Sequence, residues 1–332
     1  MNKADSERMA TLLEKKGYKL ASRETEADLI LVNMCSVRQP AVDRVYGKIK
    51  NLTRLKDKKP GLKTVLTGCI LKSDKKKLKE KFDEIWQSKD FFECLPKYQN
   101  KNQAFVPISN GCNNLCTYCV VPFVRGPLAC RDHREILKEV KRAVNPIRNA
   151  ISNGAREIWL LGQNVNDYHS PTNSSINFPK LLQMVNNIPG QFSIRFTSPH
   201  PKDFSDELIE VMANAKKIAK YLNLPVQSGD NQILKKMNRP YTVEQYKNLI
   251  KKIRQKMPKI NLSTDVIVGF PGETKKQFEK TVKLFKELKF NIAYIAKYSP
   301  RPGTAAYQMK DNVPLTEKKK REKILLNLVK HR

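Results

Sequence analysis

The chain has 332 residues, enough for about two domains of ordinary size with buried cores. Its 63 Lys and Arg against 32 Asp and Glu give a net charge of +31, a field that attracts polyanions and makes nucleic acid the first partner to consider. The excess is mainly lysine, with abundant asparagine and scarce glycine, so a genome-wide compositional bias is the competing explanation. No window approaches the ~18 uninterrupted apolar residues of a membrane span. The N-terminal MNKADSERMA lacks the apolar core of a signal peptide, and seven scattered cysteines do not make a secreted disulfide scaffold; a soluble, cytoplasmic chain is expected.

In chain order, Met9, Leu12, Leu13 and Tyr18 fall near helical spacing and predict an amphipathic helix over 4–18. The apolar run Ala27 to Met34, bounded by Cys35 and Ser36, reads as a buried strand. A helix from about Pro40 to Leu55 follows, then a short strand, Thr64 to Thr67, that ends at Gly68-Cys69. Each strand of this α/β unit therefore terminates at a cysteine. Ligands gather at the carboxyl ends of strands in open α/β sheets, so Cys35 and Cys69 can share a crevice. The alternative is two buried cysteines acting as small hydrophobes. In LKSDKKKLKEK only Leu71 and Leu78 can face a core, which predicts a surface helix, and the basic clusters Lys50 to Lys63, Lys247 to Lys259 and Lys318 to Lys323 read mostly as solvated helix faces. No low-complexity tract or solenoid repeat is present.

From Ala104 onward strand and helix patterns alternate, with strands at Phe105 to Ile108, Glu157 to Leu161, Ser193 to Thr197, Tyr221 to Val226, Ser263 to Val268 and Asn291 to Lys297. Thr242 with Gln245 and Thr274 with Gln277 form capping-box pairs, and Phe278, Val282, Phe285 and Leu288 supply one apolar stripe. Regular βα alternation implies a parallel sheet, and six units predict an incomplete relative of the eight-stranded barrel. Catalytic residues of such barrels sit at the C-terminal ends of strands.

The first of these strands runs into GCNNLCTYCV, residues 111–120, which packs Cys112, Cys116 and Cys119 into eight residues. Three thiolates on so short a loop suit three corners of a cubane iron-sulfur cluster, with no fourth cysteine at ligand spacing. Clusters held for structure or electron transfer normally use four, so an open iron points to chemistry at the metal. Zinc is the competing reading; its nearest fourth ligand would be His133, fourteen residues past Cys119.

The cysteine loop, with Tyr118 before its last thiol, resembles the radical S-adenosylmethionine superfamily. Further segments resemble its methylthiotransferases, of the MiaB type that modifies tRNA, over nearly the whole chain: MNKADSERM, NMCSVRQPAVDRVYG, TGC, GCNNLCTYCVVPFVRG, EIWLLGQNVNDY, TSPHPKDFSDEL, LPVQSGDNQILKKMNR, STDVIVGFPGET and YSPRPGTAA. The resemblance implies an N-terminal Rossmann-like α/β domain over 1–97 and a partial (β/α)6 radical S-adenosylmethionine barrel over 98–332. It implies a 4Fe-4S cluster on Cys112, Cys116 and Cys119 whose fourth iron chelates S-adenosylmethionine, with Tyr118 near the adenine. A 5'-deoxyadenosyl radical would then remove hydrogen from C2 of N6-isopentenyladenosine beside the tRNA anticodon, where a methylthio group is installed. Gln163, Asn164, Ser198, Gln227, Ser228 and Asp265 follow or end successive predicted strands and are expected to shape the cofactor pocket, with Pro271, Gly272 and Glu273 in a turn beside them.

The resemblance also implies a second, auxiliary 4Fe-4S cluster on three N-terminal cysteines, of which Cys35 and Cys69 match two. The third would lie just upstream of the segment matching Met1-Asn2, together with a first β-strand, and a small β-barrel RNA-binding (TRAM) domain would follow Arg332. Both are expected to be missing here, as from an incomplete gene model, which would impair sulfur delivery. Internally, Leu128 and Cys130-Arg131 replace a family glutamate and Ser-Arg pair, Asn223 replaces a histidine, and the connection Lys141 to Gly154, with Pro146, is longer by roughly two helical turns. Cys94 and Cys130 match no ligand position. The expected partners are tRNA, an electron donor of flavodoxin or ferredoxin type and a sulfur donor, with no membrane and a monomeric chain. Threonylcarbamoyladenosine in tRNA, a ribosomal-protein aspartate, and a non-catalytic RNA-binding iron-sulfur protein are the alternative readings.

Overall fold

The computed structural model describes residues 1–37, 39–87, 94–98, 102–145 and 154–330. The N-terminal part comprises α1 (Asn2–Lys15), β1 (Leu29–Cys35), α2 (Gln39–Lys58), β2 (Lys63–Cys69), α3 (Lys72–Leu78) and β3 (Glu84–Ile85). Its three strands lie parallel in the order β1-β2-β3. Helix α1 stops short of the predicted end because Gly17, at φ +90°, takes the left-handed conformation that closes helices. Met34, Val42, Val45, Leu52, Leu66, Leu78 and Phe82 form a small core of this unit.

The rest is built on six parallel strands: β4 (Gln103–Pro107), then, after the short β5 (Ser109–Asn110), α4 (Val121–Arg125), β6 (Ala129–Cys130) and α5 (His133–Val144), strand β7 (Glu157–Leu161). The small hairpin β8 (His169–Ser170) and β9 (Asn173–Asn177) leads to α6 (Phe178–Asn186), β10 (Ser193–Phe196), α7 (Asp206–Asn214) and β11 (Tyr221–Asn223). Helices α8 (Asn231–Lys236) and α9 (Val243–Lys256), β12 (Asn261–Val268), α10 (Lys275–Leu288), β13 (Ile292–Lys297) and α11 (Leu315–Lys330) complete the chain. Strands β4, β7 and β10 form one parallel sheet and β11, β12 and β13 another, and a parallel bridge between Ile194 and Ile218 joins them into one curled, open run in sequence order. All six strands expected from the sequence are present. The strand at 221 is shorter than expected because Pro225 has no N–H to give the ladder and Gln227 turns at φ +68°. The lengthened connection between α5 and β7 falls largely on residues 146–153, Pro146 included, outside the described residues.

Alternation along the strands divides two faces. Ala104, Val106, Ile158, Leu160, Ile194, Leu222, Leu262 and Val266 are almost fully buried under the helices. Their neighbours Phe105, Trp159, Arg195, Tyr221, Asn223 and Asp265 are half-buried and point the other way, giving the inner face of the curl a polar and aromatic lining. Both expected capping boxes are made, Thr242 with Gln245 and Thr274 with Gln277. Helix α3 is the surface helix expected, with Leu71 and Leu78 buried and Lys75, Lys76 and Lys77 exposed. The basic run at 318–323 departs from the expected solvated face. Lys318 is buried between Asp311 (2.6 Å) and the Tyr298 carbonyl, and Arg321 is buried between Glu273 (2.7 Å) and Glu317 (2.9 Å), because α11 packs across β13 and α10.

Helix α1 packs on both β1 and β4. Arg8, fully buried, donates through Nη2 to both carboxylate oxygens of Glu139 on α5 at 2.7 and 2.8 Å, and Glu139 also accepts from Tyr98 (2.6 Å) and pairs with Arg131 (2.7 Å). The N-terminal sheet is thereby fastened to the six-stranded curl.

Candidate active site at the strand ends

The cysteine loop lies at the carboxyl end of β4, across the mouth of the curl. Gly111 stands at φ +80°, and a Cβ there would run into the carbonyl oxygens of Gly126 and Pro127, so only glycine lets the loop leave the strand this way. The Cys112 amide donates to the Gly126 carbonyl (3.2 Å), and the Cys119 amide to the Cys116 carbonyl (3.0 Å). The loop is held to the far side by segments that follow β11 and β13. Thr117 donates its amide to Met237 (3.1 Å) and its hydroxyl to Lys236 (2.9 Å), Ala306 donates to the Thr117 carbonyl (2.8 Å), and Asn238 donates to the Leu115 carbonyl (2.8 Å). Tyr118 packs on the cluster Ile233, Met237, Phe270, Tyr298 and Ala306, and burial pushes its phenol well up.

Cys112 is buried and Cys116 and Cys119 are partly so. Burial raises the Cys112 thiol and pushes Cys119 up to about 12; all three sit close enough to influence one another. Thiols so shifted are neutral at pH 7 unless a cation offsets their charge, as a bound metal does. Among the described residues no three His, Cys, Asp or Glu side chains converge on one metal-ion position. A cubane asks for something else, since each thiolate takes a different iron. The soft, all-sulfur donor set fits such a cluster. His133, the zinc reading's fourth ligand, instead opens α5 with Nδ1 2.8 Å from Ser170 Oγ.

Around the loop the strand ends carry buried polar groups. Asn164 is 1% exposed, donates to Asp203 (2.8 Å), and has no partner for Oδ1; Gln163 Oε1 is likewise buried and unpartnered. Ser198 (φ 58°) and Gln227 (φ 68°) are non-glycine residues held in the left-handed region, a strain that concentrates at functional strand ends. Gln227 is tied by backbone bonds to Asp265 and Ile267. Ser228 is fully buried, and its hydroxyl accepts the Asp230 amide (3.3 Å), which shapes the turn. Asp265 accepts from Asn223 (2.7 Å) on the inner face. Glu273 accepts from the Gly269 amide (2.7 Å) and from Arg321, and so locks the turn at Pro271 and Gly272 to α11.

Sequence reasoning missed three residues at this mouth. Arg239, 7% exposed, donates to Cys116 Sγ (3.5 Å), to Tyr241 (2.8 Å) and to the Pro225 carbonyl (3.2 Å). Tyr241 stands edge-on to His200, whose Nδ1 accepts the Lys202 amide (3.2 Å), leaving the proton on a buried Nε2 with no partner. Burial, with the charges of Arg239 and Lys202, drives the His200 pKa down to about 2. The signal was available as a histidine two residues past a strand-end serine and an arginine closing LKKMNR. In sequence both look the same as structural residues.

Cys35 and Cys69 are partners in register at the ends of β1 and β2. A hydrogen bond with Cys35 and then burial push the Cys69 thiol up, against the charge of Arg125. That arginine, the last residue of α4, donates Nε to Cys69 Sγ at 2.9 Å. It links the N-terminal cysteines to the helix that follows the three-cysteine loop. Cys94 and Cys130 lie apart from both groups: Cys94 Sγ faces the Leu95 carbonyl, and Cys130 pairs with Ser109 and packs on the main core.

A curled run of six parallel βα units whose first strand delivers a three-cysteine loop to the mouth is the architecture of a radical S-adenosylmethionine enzyme. Residues 106–285 match the Radical SAM superfamily, and residues 1–87 match Uncharacterized protein family UPF0004. The tRNA-2-methylthio-N(6)-dimethylallyladenosine synthase of Carboxydothermus hydrogenoformans is 41% identical over 99% of this chain and 80% of its own length; that of Clostridium novyi is 42% identical over 95% and 75%. The cobalamin-dependent S-adenosylmethionine radical enzyme OxsB, in its apo structure, shares the fold at a TM-score of 0.58 and 10% identity, over 92% of this chain and 47% of OxsB. The chain belongs to the radical S-adenosylmethionine superfamily and, within it, to the family of these tRNA methylthiotransferases. That family works with 4Fe-4S clusters and S-adenosylmethionine.

Proposed function

We propose that this chain replaces the hydrogen at C2 of N6-isopentenyladenosine, beside the anticodon of tRNA, with a methylthio group. The relatives' activity suggests the substrate. The observation that carries the reading is the three-cysteine loop pinned across the mouth, with Arg239 on Cys116 and unpartnered polar atoms of Gln163, Asn164 and His200 around it. In this reading Cys112, Cys116 and Cys119 hold the first cluster, Cys35 and Cys69 belong to the auxiliary cluster, and Tyr118, Gln163, Asn164, Ser198, Gln227, Ser228 and Asp265 shape the pocket for S-adenosylmethionine. The domain boundary falls near residue 97. When bound, the cluster and S-adenosylmethionine supply the one-electron chemistry that a C2–H bond with no acidic proton requires.

The chain's own residues provide the setting. Arg239 donates to a ligand sulfur and supplies fixed positive charge. His200, neutral at physiological pH, offers an N–H donor without adding charge. Phe105, Trp159, Tyr221 and Tyr294 offer π faces to an unstacked base, and the guanidinium of Arg195 lies 5.4 Å from the Trp159 ring and 5.7 Å from that of Tyr221. Exposed lysines such as those of α3 suit the tRNA backbone. A flavodoxin- or ferredoxin-type reductant and a sulfur donor complete the reaction of a monomeric cytoplasmic enzyme. Modified-nucleoside analysis of tRNA from cells lacking the gene tests the reading. Loss of the 2-methylthio-N6-isopentenyl nucleoside is expected, and its persistence, with loss of a threonylcarbamoyl product or of a ribosomal-protein modification, refutes it.

A further inference from the structure

Two arginines of the barrel mouth converge on the N-terminal cysteines. Arg125 donates Nε to Cys69 Sγ (2.9 Å), Nη1 to Asn110 Oδ1 (3.1 Å), and Nη2 to Asn2 Oδ1 (2.9 Å) and Asp5 Oδ2 (2.6 Å). Arg301, in the segment after β13, is 6% exposed; its Nη1 donates to Gln39 Oε1 on α2 (2.8 Å), while its Nη2 is buried without a partner. Its charge faces Asp74, Asp43 and Cys35. A buried guanidinium with an unused N–H is costly; Gln39, which takes its other N–H, opens α2 four residues past Cys35, so this corner calls for a group that would take the donor.

We propose that Arg125 and Arg301 are positioning residues for the group bound at Cys35 and Cys69, supplying fixed positive charge from the barrel to an anionic, thiolate-ligated iron-sulfur centre of the N-terminal domain. The inference rests on reading those cysteines as cluster ligands. Thiolate ligands leave such a centre negative, and reduction adds another negative charge. Hydrogen bonds to its sulfurs and cations beside it therefore favour the reduced form and raise the potential. Both arginines stand on segments at the barrel mouth, Arg125 six residues past Cys119, so the properties of the second centre depend on how the two units dock. The two do not serve equally well as probes. Removing Arg125 strands the buried carboxylate of Asp5, whereas removing Arg301 gives up one bond to Gln39.

The test uses the whole chain with Cys112, Cys116 and Cys119 all changed to Ala, so that only the N-terminal site remains, reconstituted anaerobically with iron and sulfide. Iron content, the EPR spectrum of the reduced state and the midpoint potential are measured, with folding checked by circular dichroism. Arg301→Gln is expected to shift the midpoint to more negative potential and alter the spectrum, Arg301→Lys to restore part of the shift, and Arg125→Lys to perturb the spectrum while retaining the fold. Folded Arg301→Gln and Arg125→Lys chains with unchanged potential and spectrum would overturn the proposal alone. A background chain that takes up no iron, or iron that survives Cys35→Ala and Cys69→Ala, removes the cysteine reading and the proposal with it.

Discussion

Glu139→Gln perturbs the ion cluster that fastens α1 to the barrel. In the parent this carboxylate lies between Arg8 and Arg131, with the buried Glu7 within electrostatic reach of it and of Arg8, and it also accepts from the Tyr98 hydroxyl. Arg8 is fully buried, and its Nε and Nη1 already lack partners, so water cannot take over when the charge is removed. Glutamine takes away the carboxylate that both buried guanidiniums share and turns an N–H2 toward them; breaking such a pair costs about 3–5 kcal/mol. That is a fifth or more of a typical stability of about 5–15 kcal/mol. The double change Arg8→Met with Glu139→Leu takes out one guanidinium with the carboxylate and leaves Arg131 on the Pro107 carbonyl (2.7 Å), so it is expected to recover part of the loss. Urea unfolding reads both, because the two tryptophans report separately: Trp86 follows β3, and Trp159 lies in β7. A Glu139→Gln loss under about 1 kcal/mol, or a double variant no better than the sum of its singles, refutes the reasoning.

Other consequences can be checked on the purified chain. Gly111→Ala puts a Cβ 2.6 Å from the Gly126 carbonyl oxygen on top of a left-handed backbone, and should cost more than the ~1 kcal/mol of φ strain alone and sharply lower iron uptake at the adjoining cysteines, read by iron assay. Cys116→Ser is expected to remove about one cluster's iron and abolish 5'-deoxyadenosine formation; unchanged iron would sink the ligand assignment. His200 has a folded pKa of about 2 against 6.5 unfolded, so below pH 6.5 the unfolded chain binds the extra proton and stability falls with acid. At pH 5 its share of the loss is about 2 kcal/mol, and His200→Gln should flatten the stability curve between pH 7 and 5 by about that much; parallel curves would contradict the burial argument.

Strands and their order were legible because their signal is local: apolar runs bounded by turn residues, with helices capped by Thr242 and Thr274 between them. The cysteine loop was legible for the same reason, since three thiols within eight residues must be close whatever the fold does. Contacts made between distant segments were not. Arg239 reaches Cys116 across 123 residues, Arg125 reaches Cys69 across 56, and Arg8 reaches Glu139 across 131, and no spacing rule marks any of these arginines as different from a solvated one. The same blindness explains Lys318 and Arg321. On a helix of lysines they read as surface, while packing of α11 against the turn at Glu273 buries them in ion pairs.

Several such contacts cross between the two halves, which bears on how they work together. Arg125 and Arg301 extend from the barrel mouth toward the ends of β1 and β2, and Arg8 extends from the N-terminal helix into α5. The carboxyl ends of both parallel sheets, where ligands gather, are thus tied by buried charges and not by apolar surface alone. Buried ion pairs are a weak source of stability and a strong source of geometry, since each tolerates only one arrangement of its partners. In the proposed reading the chain holds two sulfur-ligated sites in fixed relation, which makes more use of the second property than of the first. Conservative changes at Arg125 and Arg301 should therefore alter the behaviour of the N-terminal cysteines before they unfold either sheet.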